Sequence, residues 1–538
     1  MKKILLCVFI FMFQILPAQE NMAKIIPHDH WIYDALYALA LEDWQTSLAI
    51  ERPQSVAALS AYFSTINFEN LSEYGQKLYR KAETFLNTNN FLVQKDWFGF
   101  DINAVFALQA QYRYKYQNLP SGDNALWYNK QPELIKIPIQ MAFSKYVHLY
   151  ADIDLKKNYL AFLDSYPYTN MVLKDTAFDS QFPHRAGLSI GYKFINFHIG
   201  RGAIKKGKTL AGSMLLSDTV DRLDYAELSF FAKSVRTVVR VIELKPTRFV
   251  FYHEITFKPV KQLAIGFQEA MSVNSSFDPR FLNPMMILHN YAAWKDLYPK
   301  PGESAENGHR IGTQLGLSVD AIPYKGMRLY GQFVMNQFQT SFEKKHYPEA
   351  RKIPNSLGGL AGIEYHHVFP IGYFTVTAEC SYTNPWAYVM DNKAISFYYS
   401  RKDLVSLNTD KELFFWLGNP YGPDTATAFI NFALSNIDSY SAFLKYRFVA
   451  QGHNGILFFD KEQYYPSIEE EASIKTPSMK PRYFHTVSLG TNYAILKGLS
   501  LVSEISWTIM HGSTYGNSVD ISASINYRAP LKTPFKKD

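Results

Sequence analysis

Imidazole and carboxylate groups stand together at two places in the chain, His28-Asp29-His30 and Glu364-Tyr365-His366-His367. Side chains of these types can hold a divalent metal or relay protons. The first set supplies two histidines at i, i+2 in a loop, which is incomplete coordination, and no Cys or Glu cluster lies nearby. Asp29 is expected to begin a helix and leave both histidines solvated. The second set falls at a strand end leading into a turn, which places it on a lumen wall or rim. Ser and His are otherwise scattered, with no Gly-x-Ser-x-Gly elbow of a hydrolase. The expectation is a non-enzyme with no catalytic residues, no metal and no cofactor.

Two other segments have the make-up of contact surfaces. The stretch 272–311 combines Asp278, Arg280, Asn283, His289 and Trp294 with Phe281, Leu282, Met285, Met286, Ile287 and Leu288. A loop of that length is functional or disordered, and its apolar content argues for folding inward. It reads either as a plug or as a sugar-binding surface. Aromatic faces meet sugar C–H groups, while Asn, Asp and Arg bond hydroxyls and carboxylates. Lys205, Lys206 and Lys208 in loop 204–224 could draw an anionic polymer; the alternative is an ordinary solvated loop. The candidate polysaccharide-binding residues are therefore Lys205, Lys206, Lys208, Asp278, Arg280, Asn283 and Trp294.

The elements that must position these residues alternate with period two. Val519, Ile521, Ala523, Ile525 and Tyr527 face one way, and Ser518, Asp520, Ser522, Ser524 and Asn526 the other. Ile102, Ala104, Phe106, Leu108, Ala110, Tyr112 and Tyr114 stand similarly against Asp101, Asn103, Gln109, Gln111 and Arg113. Long two-faced strands repeated over hundreds of residues are the signature of a transmembrane β-barrel. An aromatic content of 16% and a mean hydropathy of -0.17 suit a barrel with a wet lumen. Short connectors are expected near 144–145, 195, 234–235, 258–260, 322–325, 367–370, 435–437 and 496–498. Long ones fall at 117–133, 158–184, 204–224, 272–311, 339–357, 383–394 and 451–482, with one short exception at Leu244 to Thr247. The count is twenty strands, or eighteen if the segments near 395–401 and 412–418 are set aside. Even parity puts both chain ends on one side, the periplasmic one.

Residues 26 to 90 follow a helical period instead. Trp31, Ala35 and Leu39 share one face, as do Val56, Leu59, Phe63 and Ile66 after a Ser55 cap. Leu71, Tyr74, Leu78, Ala82 and Phe85 mark a third helix starting near Ser72. Such a bundle is too small to stand without docking on something larger. Lys2 and Lys3 followed by an apolar run to Pro17 read as a secretory signal. The expected layout is a signal peptide at 1–19, a periplasmic helical bundle at 20–97, an outer-membrane barrel at 98–528 and a tail at 529–538. Only Cys380 survives removal of the signal, so no intramolecular disulfide forms in the mature chain. The formal charge of +7 falls to +5 without Lys2 and Lys3, and the basic residues are dispersed, which gives nucleic acid no footprint.

Three stretches resemble the Wzi-type capsule assembly family of outer-membrane proteins. Pro27-His-Asp-His-Trp-Ile-Tyr-Asp-Ala-Leu-Tyr-Ala-Leu-Ala-Leu-Glu-Asp-Trp44 is similar to its opening helical segment. Ile199 to Asp218 is similar to its glycine-containing loop and Ser-Leu-Leu-Leu-Ser-like strand, and Phe277 to His289 to its Leu-Asn-Pro segment. Lys205-Lys-Gly-Lys-Thr209 departs from the Trp-Gly-Pro-Gly-like stretch of that family, and the tail after Tyr527 is a second departure. The resemblance implies an 18-stranded barrel with a small helical bundle that holds capsular polysaccharide at the cell surface without catalysis. Its partners would be surface polysaccharide, outer-membrane lipid and other envelope assembly proteins. A porin or solute channel is the alternative function.

Overall fold

The computed structural model describes residues 21–529 except 89–90, 96, 121, 165–167, 175–176, 294–309, 403–411, 438, 455–465 and 467. Eighteen antiparallel strands close into a barrel. In chain order they are β1 (Phe98–Ile102 and Ala104–Tyr114), β2 (Ile135–Phe143), β3 (Val147–Leu155), β4 (Arg185–Tyr192), β5 (Ile195–Gly202) and β6 (Leu223–Ala232). Next come β7 (Val235–Lys245), β8 (Arg248–Val260), β9 (Leu263–Asn274), β10 (Ile311–Tyr324), β11 (Met327–Gln337) and β12 (Ser356–Phe369). The wall ends with β13 (Gly372–Thr383), β14 (Thr425–Asn436), β15 (Tyr440–Gln451), β16 (Arg482–Leu496), β17 (Leu499–Gly512) and β18 (Gly516–Ala529). The gap in β1 falls at Asn103, which lies opposite Pro138 of β2, a residue with no N–H to give the ladder.

The two strands with the clearest alternation turn out to be neighbours. β18 pairs with β1 and closes the barrel, setting Ile521 against Tyr112, Ile525 against Leu108 and Tyr527 against Phe106. These side chains are exposed on the outer wall, where lipid replaces water, while Gln109, Gln111, Arg113, Ser518 and Asp520 are buried in the lumen. Across the seam Asp520 accepts from Gln111 Nε2 at 2.9 Å and pairs with Arg113 at 3.0 Å.

Short turns gather on one rim and long loops on the other, as the connector lengths predict. The long-loop rim has a second short turn, 513–515, in addition to the one at 246–247. Tyr398–Lys402 and Glu412–Trp416 pair only with each other, which is why the barrel count is eighteen and not twenty.

Three helices, α1 (Trp31–Glu42), α2 (Val56–Phe63) and α3 (Glu73–Leu86), occupy the short-turn end of the barrel. Ser55 Oγ accepts from Ala58 N at 3.3 Å and Ser72 Oγ from Gly75 N at 3.1 Å, so both sequence caps operate. α1 is buried nearly all round because it lies between the other helices and the barrel wall. Its start differs from expectation. His30 caps the helix in place of Asp29, accepting from Ile32 N, and its ring stacks on Phe85 at 4.7 Å rather than facing solvent. The bundle is fastened to the turns by Asn21 Nδ2 to Val147 O, Thr46 N to Lys261 O and Trp44 Nε1 to Ile322 O, all between 2.8 and 2.9 Å.

Candidate functional site

Between the bundle and the long-loop rim the lumen is filled by the chain's own loops. Loop 203–222, between β5 and β6, turns inward and buries Ile204, Ala211, Met214, Leu215, Leu216 and Val220. Segment 384–424, between β13 and β14, meets it from the opposite wall with Tyr388, Phe397, Tyr398, Trp416 and Leu417. The two are stitched by Tyr388 OH to Met214 O at 2.8 Å and Ser217 N to Leu417 O at 2.8 Å. Their shared apolar cluster reaches wall residues from Tyr225 of β6 and Tyr252 of β8 to Phe484 of β16 and Met510 of β17. A dry cluster therefore spans the barrel.

The three candidate lysines all sit in the inward loop, and each ties it to the bundle. Lys205 exchanges both backbone hydrogen bonds with Arg52 at 2.9 Å, and its Nζ pairs with Asp218 at 2.9 Å. Lys206 is buried and meets Glu254 at 2.8 Å and Glu51 at 3.2 Å. Glu51 also pairs with Arg236 at 2.5 Å, Arg236 with Glu227 at 3.2 Å, Glu227 with Arg240 at 2.7 Å, and Arg240 with Glu254 at 2.9 Å. The result is a closed ring of six alternating charges contributed by the bundle, the loop and strands β6, β7 and β8. Burial opposes the charge on Lys206, yet Glu254 and Glu51 hold its pKa above the ordinary lysine value. Burial likewise opposes the Glu51 carboxylate, which Lys206 and Arg236 nonetheless keep below the usual glutamate range. Lys208 lies over the Tyr37 ring at 3.7 Å and 3.4 Å from Glu364, which also accepts from Tyr37 OH at 2.6 Å. Gly207 makes the turn between the two lysines with a φ of 81°, where an added Cβ would stand 2.7 Å from Gln332 Nε2.

Asp278, Arg280 and Asn283 are elsewhere. Segment 277–293 leaves the long-loop rim and folds onto the outside of the barrel, contrary to the inward fold expected from its apolar content. Val250, Tyr252, Glu254 and Thr256 of β8 face the lumen, so Phe251 and His253 face out. Phe281 and Leu288 are buried against Phe251, Met271 and Val273 on that outer wall. Asp278 and Arg280 form a bidentate pair at the segment's start, and Asn283 Oδ1 accepts from Met285 N at 3.1 Å. The structure thus brings Lys205, Lys206 and Lys208 together inside and sets Asp278, Arg280 and Asn283 apart on the outside. Trp294 lies outside the described residues.

Glu364 and His366 face the lumen and line a polar cavity of about 550 Å³ between α1 and the wall, together with Asp34, Tyr37, Lys208 and Asn431. The charge ring escaped sequence reading because its members are far apart in the chain; the signal available was the Lys-Lys-Gly-Lys run inside an otherwise apolar loop.

The fold and its filled lumen define a plugged outer-membrane-type β-barrel. No family model matches the chain, and no curated protein matches it. Among solved structures, it is similar to Wzi, an outer membrane protein involved in group 1 capsule assembly in Escherichia coli, described as a carbohydrate-binding β-barrel. The TM-score is 0.60 at 12% identity, covering 95% of this chain and 100% of that one. The Wzi-type resemblance therefore holds at the level of the fold. OccD1 (OprD) gives a TM-score of 0.42 at 9% identity over 80% of this chain and 96% of its own. OccAB1 of Acinetobacter baumannii gives 0.41 at 8% identity over 80% and 97%.

Proposed function

We propose that the chain is a non-enzymatic outer-membrane protein that binds surface polysaccharide and retains it at the cell. The observation that supports this reading is the apolar cluster across the lumen, which among the described residues fills much of its width and disfavours the channel alternative. The barrel is then a rigid mount, and the working surface is its long-loop rim. With the bundle and both chain ends on the periplasmic side, that rim faces outward. Asp278, Arg280 and Asn283 lie on the segment that leaves this rim for the outer wall, and exposed Phe342, Tyr347 and Tyr515 add aromatic faces for sugar rings. Lys205, Lys206 and Lys208 serve the same function indirectly, by holding the plug that supports the rim. Many weak contacts from several copies would hold one polymer.

The test compares cell-bound with shed polysaccharide in a deletion strain complemented by the wild-type chain or by Tyr347→Ala/Arg280→Ala. Polymer released to the medium at unchanged total synthesis supports retention. An unchanged bound fraction, together with steady conductance of the purified protein in planar bilayers, would replace this reading with the channel.

A further inference from the structure

The outward segment does more than cover the wall. His253 of β8 and Glu269 of β9 stand directly opposite each other on the outer face, where charge is costly in hydrocarbon. Both are bonded by the segment's backbone and stay part-buried. His253 holds the segment through both ring nitrogens, Nδ1 at 3.0 Å from Met286 O and Nε2 at 2.9 Å from Phe281 O. Glu269 accepts from Leu288 N and His289 N, both at 2.7 Å.

Just beyond this fastening a groove of about 630 Å³ remains between the segment and the wall. That is within the ~300–1,000 Å³ range of small-ligand pockets. Its wall side is Ile255, Phe267, Leu315 and Phe333, and its overhanging side is Met285 and Ile287. These wall residues are exposed members of the outer apolar belt, so the medium at the groove mouth is hydrocarbon. Arg310, just before β10, is exposed, as is Arg280, whose guanidinium is already paired with Asp278.

We propose that this groove is a lipid site, holding one acyl chain of a phosphate-bearing lipid from the bilayer leaflet at the long-loop rim. The polar pair anchors the overhang, the overhang confines the chain, and Arg310 meets the headgroup.

The experiment places a photoreactive benzophenone side chain at Ile287 or, as a control, at Leu489 on the outer face of β16. Both positions are exposed, so neither substitution disturbs packing. After irradiation of the full chain in outer-membrane vesicles, adducts are identified by mass spectrometry. The expected result is a severalfold excess of lipid adducts at position 287, reduced to the control level by Glu269→Leu, which frees the overhang. Equal lipid labelling at the two positions would overturn the proposal, as would adducts at 287 to this chain or to a second copy of it.

Discussion

Loop 203–222 and segment 275–293 are both long, apolar connectors at the same rim, yet one enters the lumen and the other lies on the outer wall. Their apolar content does not separate them, since Met214 and Leu216 inside are matched by Phe281 and Leu288 outside. What differs is the polar anchor waiting on each face. Inside, Lys206 finds Glu51 and Glu254; outside, the backbone around Met286 and Leu288 finds His253 and Glu269. Burial supplies the driving force in both cases, and the cost of an unpaired charge or hydrogen-bonding group selects the direction.

Removing an anchor should therefore affect one region and spare the other. The largest effect is expected from Lys206→Met, which leaves the ring with an uncompensated buried carboxylate at a cost of ~3–5 kcal/mol. Thermal unfolding should shift down and conductance in planar bilayers should rise, while adding Glu51→Gln restores part of the loss. Full stability in the single variant would mean the ring does not hold the plug. Next, Glu269→Leu deprives two backbone N–H groups of their acceptor, costing about 1–3 kcal/mol. Limited proteolysis should then cut within 275–293 with conductance unchanged; a leak would show that the two regions are coupled. Gly207→Ala should cost about 1–2 kcal/mol through its left-handed backbone, read as a lower thermal midpoint.

Acid should loosen the inner arrangement in two steps. Burial lowers the His30 pKa to about 4, so its contribution is complete above the unfolded value near ~6.5 and is lost as pH falls toward the folded one. Burial also lowers His28, which adds to that step. The lowered Glu51 pKa places its loss further down, below the unfolded glutamate value. Thermal midpoints measured from neutral pH downward should fall in that order, and His30→Asn should shrink the first step. The smallest effect belongs to Arg280→Ala, whose exposed pair with Asp278 should change stability by no more than ~0.5 kcal/mol. A larger loss would show that the pair helps direct the segment outward.

The barrel was legible because lipid inverts the usual burial pattern and leaves it strictly periodic. Leu108 and Ile525 face out and Gln109 and Ser524 face in, so alternation alone locates the wall. Ser55 and Ser72 announced their helices for a local reason too, a side-chain oxygen three residues from its donor. Loop direction was not legible. Glu51 and Lys206 are 155 residues apart, and nothing near Lys206 in the chain names its partner. The outward fold of 277–293 depends on His253 and Glu269, which sequence alone leaves as two polar residues breaking an apolar face. Of the candidate site residues, Lys205, Lys206 and Lys208 were recognised as a group from their spacing, while their partners Asp218, Glu51 and Glu364 were not.

The charge ring also bears on the order in which the molecule can be assembled. Its wall members, Glu227, Glu254, Arg236 and Arg240, balance by themselves. The N-terminal segment brings one negative charge with Glu51, and the inward loop brings one positive charge with Lys206. Either arriving alone would strand a charge in the closing interior, whereas both arriving together leave none. A barrel holding only one of the two segments is thus the state this arrangement penalises.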